Sequence, residues 1–240
     1  MSIPPDDRAA VTRPRVPGAP DAGRGARTAI AVAVGCLTVV ALLAVGVRAG
    51  FTPQLRLDTA VSRALYAGDH RSAAVDALLY VATAPGYAVA RLILAVPLLV
   101  WLLRRGARWT ALWVVVAYGL IGPITSLGKD VVDRLRPSFA NGGALNHSPS
   151  FPSGHASGIA TTVVVGLILA WPLLSGRAQR IWLVAGVALA VVVGLSRMWL
   201  GVHYLSDVVA GWSLGVAWAL LTAVLFGALP GGRAALAPRT

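Results

Sequence analysis

Three short strings in this 240-residue chain combine residues that can bind and attack a phosphate ester. The strings are Lys129-x6-Arg136-Pro137, Pro152-Ser153-Gly154-His155 and Ser196-Arg197-x5-His203-x3-Asp207. Lys129 is the only lysine in a chain that otherwise carries its positive charge on arginine. Together the strings hold cations, imidazoles and a carboxylate, a set suited to neutralising a tetrahedral anion and transferring its phosphoryl group.

The first string predicts a pair of cations that share one ligand. On a helix, residues seven apart lie two turns along one face, so Lys129 and Arg136 can point at the same anion. Pro137 is expected to stop that helix just beyond Arg136. The alternative is that both side chains are interfacial anchors that reach for lipid headgroups.

The second string predicts a helix N-terminus that binds an anion. Ser153, Gly154 and His155 follow a proline and precede a long apolar run, and the free N–H groups at such a position favour negative charge. Gly154 lets the backbone approach closely, and His155 in the first turn would face the same anion. The alternative is a Ser153 N-cap followed by an incidental histidine.

The third string predicts a paired histidine. His203 and Asp207 are four residues apart, so on a helix the carboxylate can accept from one ring nitrogen and leave the other as a nucleophile or base. Arg197 can add a bidentate phosphate contact. Taken alone, a His–Asp pair at a membrane interface is more often a structural hydrogen bond.

Composition indicates a membrane protein of several spans. The chain is 57% hydrophobic and 12% charged, with a mean hydropathy of +0.72. The net charge of +12 does not indicate nucleic acid, because the arginines lie mainly between apolar runs rather than in one basic patch. The single cysteine, Cys36, falls inside the first apolar run, which excludes an intramolecular disulfide and favours a packing role.

The apolar runs predict an all-α, polytopic helix bundle with six transmembrane helices. The expected spans are 28–47, 86–103, 109–127, 155–174, 181–198 and 205–229. A mixed stretch at 55–80 is expected to form an interfacial outer helical segment. Proline- and arginine-rich residues 1–27 are expected to be a disordered cytoplasmic tail, 28–229 the membrane domain and 230–240 a short cytoplasmic tail.

The distribution of arginine predicts the orientation of the bundle. Four alternate connections carry clusters of them: Arg8, Arg13, Arg15, Arg24 and Arg27; Arg104, Arg105 and Arg108; Arg177 and Arg180; Arg233 and Arg239. Basic residues concentrate on the cytoplasmic side, so both termini are expected inside and all three strings at the outer face of the plasma membrane. The rule is followed imperfectly, because Arg48, Arg56, Arg63 and Arg71 would lie outside.

The three strings resemble the three-part signature of the type 2 phosphatidic acid phosphatase superfamily, with every signature residue present. The resemblance covers about residues 55–229 and leaves the arginine-rich tail unexplained. It implies a metal-independent lipid phosphatase in which His203 attacks phosphorus, Asp207 orients His203 and His155 protonates the leaving oxygen. By the same resemblance, the phosphoryl oxygens are held by Lys129, Arg136, Arg197, Ser153 and the Gly154 backbone.

No cofactor is expected, because carboxylates are scarce. The chain has no glutamate, so a magnesium site would be short of ligands. A metal site from Asp130, Asp133 and His147 is the alternative that we considered. Asp130 and Asp133 are expected instead to pair locally with Arg134 or with other outer arginines.

The expected partners are membrane lipids and a lipid phosphate substrate, with no nucleic acid. Prenyl diphosphates, phosphatidic acid and phosphatidylglycerol phosphate are all suitable, and the arginine- and alanine-rich, bacterial composition favours a polyprenyl diphosphate. Two alternatives stay open: a lipid phosphotransferase that uses the same phosphohistidine, and a non-enzymatic protein that binds or transports lipid phosphates. Soluble haloperoxidases share such a pocket and bind vanadate, but six spans argue against that role.

Overall fold

The computed structural model describes residues 22–236, and all regular structure within that range is helical. The eight α-helices are α1 (Ala22–Arg48), α2 (Thr52–Leu65), α3 (Ala73–Thr83), α4 (Ala88–Arg104), α5 (Arg108–Val132), α6 (Gly154–Ala170), α7 (Gly176–Trp199) and α8 (Leu205–Phe226). Three 3-10 turns lie at Ala84–Gly86, Gly143–Leu145 and Trp171–Leu173. The predicted all-α fold is confirmed.

Five helices are long and apolar enough to cross a bilayer, namely α1, α5, α6, α7 and α8. Helix α4 has only 17 residues, and it meets the same length and hydropathy test only when it is taken together with Ala73–Gly86, from which it is bent by 49°. The described residues thus contain five candidate spans, and they match the predicted number of six only when the bent pair is counted as one span. The stretch predicted to be interfacial is divided between α2 and α3, the first helix of this bent pair.

The outer surface of the bundle is apolar. Leu42 on α1, Ile93 on α4 and Val184 on α7 are each about two-thirds exposed, and many similar side chains surround them. Such a surface would be unfavourable in water and is favourable against lipid acyl chains. The chain is therefore a membrane protein.

The N-terminal halves of α6 and α8 pack closely because α8 presents two glycines to α6. A Cβ added to Gly211 would lie 2.8 Å from Ala156 Cβ, and one added to Gly215 would lie 2.8 Å from Ala160 Cβ. Glycines four residues apart allow this approach between membrane helices. Both helices start at the same end of the bundle, where α5 and α7 finish.

Both ends of the described range extend into the segments predicted as tails. Helix α1 already begins at Ala22, inside the predicted tail 1–27, whose earlier residues lie outside the described range. At the other end the chain turns back at Gly227, with a φ of 66°, and the Ala234 N–H donates to the Gly227 carbonyl at 2.8 Å. The Ala234 carbonyl accepts from Thr110 Oγ1 at 2.8 Å, so the segment up to residue 236 packs on α5.

Candidate active site

Helix α5 ends earlier than the sequence predicts. Its last residue is Val132, and Asp133 adopts the left-handed conformation with a φ of 48°. Lys129 therefore lies in the last turn of α5, whereas Arg136 lies in the loop beyond it. The expectation of one helix running through both cations is wrong, because the left-handed residue reverses the chain and Arg134 is drawn into a buried ion pair.

The loop after α5 nevertheless brings the two cations to one place. Arg136 Nη1 donates to the Val202 carbonyl at 2.8 Å, and Arg136 Nε donates to the Ser148 carbonyl at 2.8 Å. Lys129 Nζ donates to the Pro149 carbonyl, which also accepts from Arg136 Nη2 at 3.5 Å. The Ser148 carbonyl thus accepts from Arg136, and the Pro149 carbonyl accepts from both Arg136 and Lys129.

His203 and Asp207 meet at the start of α8. Tyr204 is the N-cap of this helix, and His203 precedes it. Asp207 Oδ2 accepts from the Tyr204 N–H at 2.9 Å and lies 3.4 Å from His203 Nδ1. The two side chains are neighbours as predicted, but a helix cap rather than a helical turn brings them together.

The contacts of His203 define which ring nitrogen carries the proton. Arg136 Nη1 lies 3.2 Å from His203 Nε2, and a guanidinium can only donate, so Nε2 is the acceptor and Nδ1 carries the proton that faces Asp207. Burial lowers the pKa of His203 to about 3; Asp207 raises this pKa, and the charges of Arg136 and Arg197 lower it. The ring is therefore neutral near pH 7, with a lone pair on Nε2.

A buried ion-pair network behind Asp207 was missed by the sequence reasoning. Arg134 Nη1 donates to Asp207 Oδ1 at 2.7 Å, and Arg134 Nη2 donates to Asp58 Oδ2 at 2.7 Å. Ser206 Oγ also donates to Asp58 Oδ2, at 2.6 Å. The arginine lies over the Tyr204 ring, with 4.0 Å from Cζ to the centroid. Asp207 is thus fixed by a cation as well as by the helix cap.

This network corrects the expected pairing of Arg134. Its carboxylate partners are Asp58 on α2 and Asp207 on α8, not Asp130 or Asp133. One sequence signal pointed to α2: Asp58 is the only acidic residue of that helix. Three helices lie between α2 and Arg134 along the chain, so the pairing of Asp58 with Arg134 could not be read from spacing.

Two further predicted site residues, Arg197 and His155, contact the residues that flank the turn between α3 and α4. Arg197, in the last turn of α7, donates from Nη1 to Thr83 Oγ1 at 3.0 Å. The His155 ring packs edge-on against the Tyr87 ring, with centroids 4.5 Å apart. No local pattern singled out Thr83 or Tyr87, because neither belongs to a string of charged residues or histidines.

Helix α6 begins at Gly154 with Ser153 as its N-cap, where the sequence predicts a helix N-terminus. The Ser153 N–H donates to the Asp207 carbonyl at 2.9 Å, which joins the starts of α6 and α8. Ser153 Oγ, His155 Nε2 and Arg197 Nε are buried and have no hydrogen-bond partner. Buried polar groups are nearly always paired, so three unsatisfied atoms on predicted phosphate-contacting residues indicate a place for an anion.

Within residues 22–236, no three or more histidine, cysteine, aspartate or glutamate side chains form a group that could hold a metal ion. Asp130, Asp133 and His147 accordingly do not form the alternative metal site in the structure. Of the acids near the three strings, Asp207 is engaged by Arg134 and the Tyr204 N–H.

Comparisons of this chain with known proteins agree on one family. Residues 110–229 match the PAP2 superfamily. The chain is 37% identical over 113 residues to phosphatidylglycerophosphatase B of Bacillus subtilis (strain 168), across 45% of this chain and 54% of that protein. It is 33% identical over 127 residues to a lipid A 1-phosphatase of Rhizobium johnstonii, across 49% and 48%. It is 34% identical over 119 residues to an undecaprenyl-diphosphatase of Sulfolobus acidocaldarius, across 48% and 54%.

The chain thus spans about half the length of the curated relatives it matches. A solved structure agrees over a larger part. The crystal structure of a transmembrane PAP2 type phosphatidylglycerolphosphate phosphatase from Bacillus subtilis is similar with a TM-score of 0.68 and 28% identity. That similarity covers 79% of this chain and 93% of the other.

Proposed function

The chain belongs to the PAP2 superfamily, and we propose that it is an integral membrane phosphatase that hydrolyses a lipid phosphate or diphosphate without a metal ion. The observation that carries this proposal is the environment of His203, whose Nδ1 faces the Asp207 carboxylate while Nε2 accepts from a cation. The matched relatives are phosphatases by name, which supports the same reaction class here.

The first chemical step is attack on the phosphoryl group. Arg136 Nη1 turns from the ring to a phosphoryl oxygen, and the freed lone pair of His203 Nε2 forms the bond to phosphorus. The bond from phosphorus to the leaving oxygen breaks with its electron pair, and His155 gives that oxygen a proton. Asp207 keeps the ring oriented and stabilises the charge that forms on it.

The second step releases phosphate. A water molecule attacks the phosphohistidine in line, and His155, now neutral, takes the proton of that water. The bond between phosphorus and His203 Nε2 breaks and returns the electron pair to the ring. An acceptor alcohol in place of water would make the enzyme a phosphotransferase.

Cations and a helix N-terminus replace the metal ions that other phosphoryl-transfer enzymes use. Lys129, Arg136 and Arg197 surround the phosphoryl oxygens, and Ser153 and the Gly154 N–H add donors at the start of α6. The unsatisfied Ser153 Oγ and Arg197 Nε support this assignment. Phosphoryl transfer depends mainly on positioning and charge neutralisation, which these groups provide.

The proposed substrate is a membrane lipid with a terminal phosphate on the outer leaflet. A polyprenyl diphosphate is the first candidate, followed by phosphatidylglycerol phosphate and phosphatidic acid. With both termini in the cytoplasm, the six spans place the starts of α6 and α8 outside. The arginine clusters at the opposite end of the bundle, such as Arg177 and Arg180, support this orientation.

Phosphate release by the purified protein tests the proposal. We expect hydrolysis of at least one lipid in a panel of mono- and diphosphates, inhibition by vanadate and full activity in chelator. Parallel assays with acceptor alcohols separate hydrolysis from phosphotransfer. No turnover on any lipid, or loss of turnover in chelator that magnesium or zinc restores, contradicts the proposed mechanism.

A further inference from the structure

Arg91 is a buried cation that the mechanism above does not use. It lies in α4, the second helix of the bent apolar pair, and is 7% exposed. Its Nη1 makes one long hydrogen bond of 3.4 Å to the Gly86 carbonyl, and its Nε has no partner. No carboxylate in the described chain pairs with it. A buried arginine without a counter-charge inside a membrane bundle is costly, and such residues usually serve a ligand.

Two glycines place the Arg91 guanidinium beside His155. Gly86, which accepts the hydrogen bond from Arg91, faces His155 so closely that an added Cβ would lie 2.9 Å from both Cβ and Cδ2 of the histidine. On α6, a Cβ added to Gly158 would overlap Arg91 Nη1. Gly158 is about one helical turn beyond His155, so the guanidinium lies about one turn deeper in the bundle than the histidine.

We propose that Arg91 forms a second anion subsite, which binds a phosphate group carried by the leaving portion of the lipid. This inference rests on the proposed function. In an in-line attack by His203, the leaving oxygen lies on the far side of phosphorus, next to the His155 proton donor. Arg91 is on that same side.

Arg91 therefore neutralises charge on the leaving group. When the bond from phosphorus to the leaving oxygen breaks, the electron pair stays with the oxygen and the proton comes from His155. If the leaving group is itself a phosphate, its remaining negative charge is closest to Arg91. A guanidinium binds such a group through paired N–H donors, and desolvation strengthens the contact.

Two kinds of lipid carry the required second phosphate. In a polyprenyl diphosphate it adjoins the scissile phosphoryl group, and in phosphatidylglycerol phosphate it is a phosphodiester on the other end of the glycerol. Phosphatidic acid has only the phosphate that is removed. Arg91 thus selects lipids with two phosphates over lipids with one.

The test compares kcat/KM of the wild type and Arg91→Met on these three lipids. We expect a fall of about 30-fold on at least one two-phosphate lipid, as for loss of a charged hydrogen bond, and a much smaller change on phosphatidic acid. A fall on the diphosphate alone assigns the adjoining phosphate, and a fall on phosphatidylglycerol phosphate alone assigns the phosphodiester. If kcat/KM of Arg91→Met falls equally on all three lipids, or falls on none of them, the proposal is overturned.

A second variant moves the guanidinium without removing its charge. Gly158→Ala displaces Arg91 Nη1, so we expect the same change in selectivity. Gly166→Ala is the matched control, because it lies on the same helix and an added Cβ meets nothing within 4 Å. Gly166→Ala should keep the wild-type selectivity between two-phosphate lipids and phosphatidic acid. If Gly166→Ala changed this selectivity as much as Gly158→Ala does, the subsite would be contradicted.

Inhibition by soluble anions gives a readout besides lipid turnover. Methylenediphosphonate carries two phosphorus groups that the enzyme cannot separate, and orthophosphate carries one. Arg91→Met should weaken inhibition by methylenediphosphonate about 10-fold and leave orthophosphate unchanged. Equal inhibition constants in wild type and variant overturn the subsite while the proposed function stands. If the wild type hydrolyses none of the lipids, the proposed function fails and the subsite with it.

Discussion

The chemistry of His203 follows from what lies on each side of its ring. Asp207 faces Nδ1, and Arg136 faces Nε2, so the lone pair is on the nitrogen that points away from the carboxylate. Burial keeps this ring neutral near pH 7, because it lowers the pKa of His203. A neutral, oriented imidazole can attack phosphorus through its free lone pair. The rate of phosphate release should therefore respond differently to the loss of His203 and to changes in its neighbour Asp207.

Replacing the two members of the pair should give different losses. We expect His203→Ala to reduce phosphate release to background, because it removes the nucleophile, and Asp207→Asn to leave measurable turnover, because it alters only orientation and charge. His70→Ala, at an exposed histidine, is the control and should retain full activity. Full turnover by purified His203→Ala would exclude this residue as the nucleophile.

Arg134 and Asp58 should act as positioning residues for Asp207. We expect Asp58→Asn to lower kcat about 10-fold with little change in KM, because Arg134 loses one anionic partner and Asp207 shifts with it. Arg134→Met removes the cation that pairs with two buried carboxylates, and it should destabilise the protein by about 3–5 kcal/mol. Arg63→Met, at an exposed arginine on α2, serves as the control. Unchanged kcat for Asp58→Asn would show that the network is only structural.

The lowered pKa of His203 should also make stability depend on pH. The folded ring titrates at about 3 and an ordinary histidine at 6.5, so between these values the unfolded chain binds a proton that the folded protein excludes. This part of the stability is complete above about pH 6.5 and is lost as the pH falls towards 3. The apparent Tm in detergent should therefore fall more steeply for the wild type than for His203→Gln. If the apparent Tm fell equally with pH in the wild type and in His203→Gln, the prediction of a buried, neutral His203 ring would be wrong.

At the level of helices, the site depends on how α6 and α8 approach each other. Gly211 lies against the start of α6, where an added Cβ would come within 2.5 Å of the Ser153 carbonyl. The same region carries the hydrogen bond from the Ser153 N–H to the Asp207 carbonyl. The α6 N-terminus and the His203 loop therefore keep their relative position only while the helices stay close.

A methyl group at Gly211 should separate the two helix starts. We expect Gly211→Ala to destabilise the protein by about 1–3 kcal/mol, as overpacking does, and to lower activity more than stability alone explains. Gly166→Ala on α6 has open space and should be neutral or stabilising by up to about 1 kcal/mol. Apparent Tm and phosphate release measure both effects, and equal values for the two variants would contradict the close approach.

Considered as a whole, the bundle collects the three strings at one end. The loop at residues 138–151 and the starts of α6 and α8 lie there, whereas Arg177 lies in the first turn of α7 at the opposite end. In the proposed orientation the first end faces outward. Lipid substrates from the outer leaflet would then reach the site without crossing the membrane.

Labelling of single cysteines tests this orientation in intact cells. With Cys36 replaced by alanine, Leu145→Cys in the outer loop should react with a membrane-impermeant maleimide, since Leu145 is 68% exposed. Arg177→Cys should react only after the cells are opened. The reverse pattern would place the site in the cytoplasm and overturn the positive-inside interpretation.

Local sequence was enough to predict the long apolar helices and to select the three strings as candidates. A span needs about 20 apolar residues in a row, and helix N-termini carry serine, glycine and proline in a characteristic order, so both features are readable without distant contacts. The lone lysine and the two strings that contain His155 and Asp207 likewise indicated phosphate chemistry from local sequence alone. Side-chain type and short spacing already restrict what such residues can bind.

Contacts between distant segments decided the rest. Arg136 and His203 are 67 residues apart, and Arg134 reaches Asp58 across 76. Helix α5 stops at Val132 because a buried double ion pair outweighs the local preference to continue the helix. The placement of Arg91 likewise depends on glycines in two other segments. Burial and pairing depend on which segments pack together, and no local pattern in the chain encodes that.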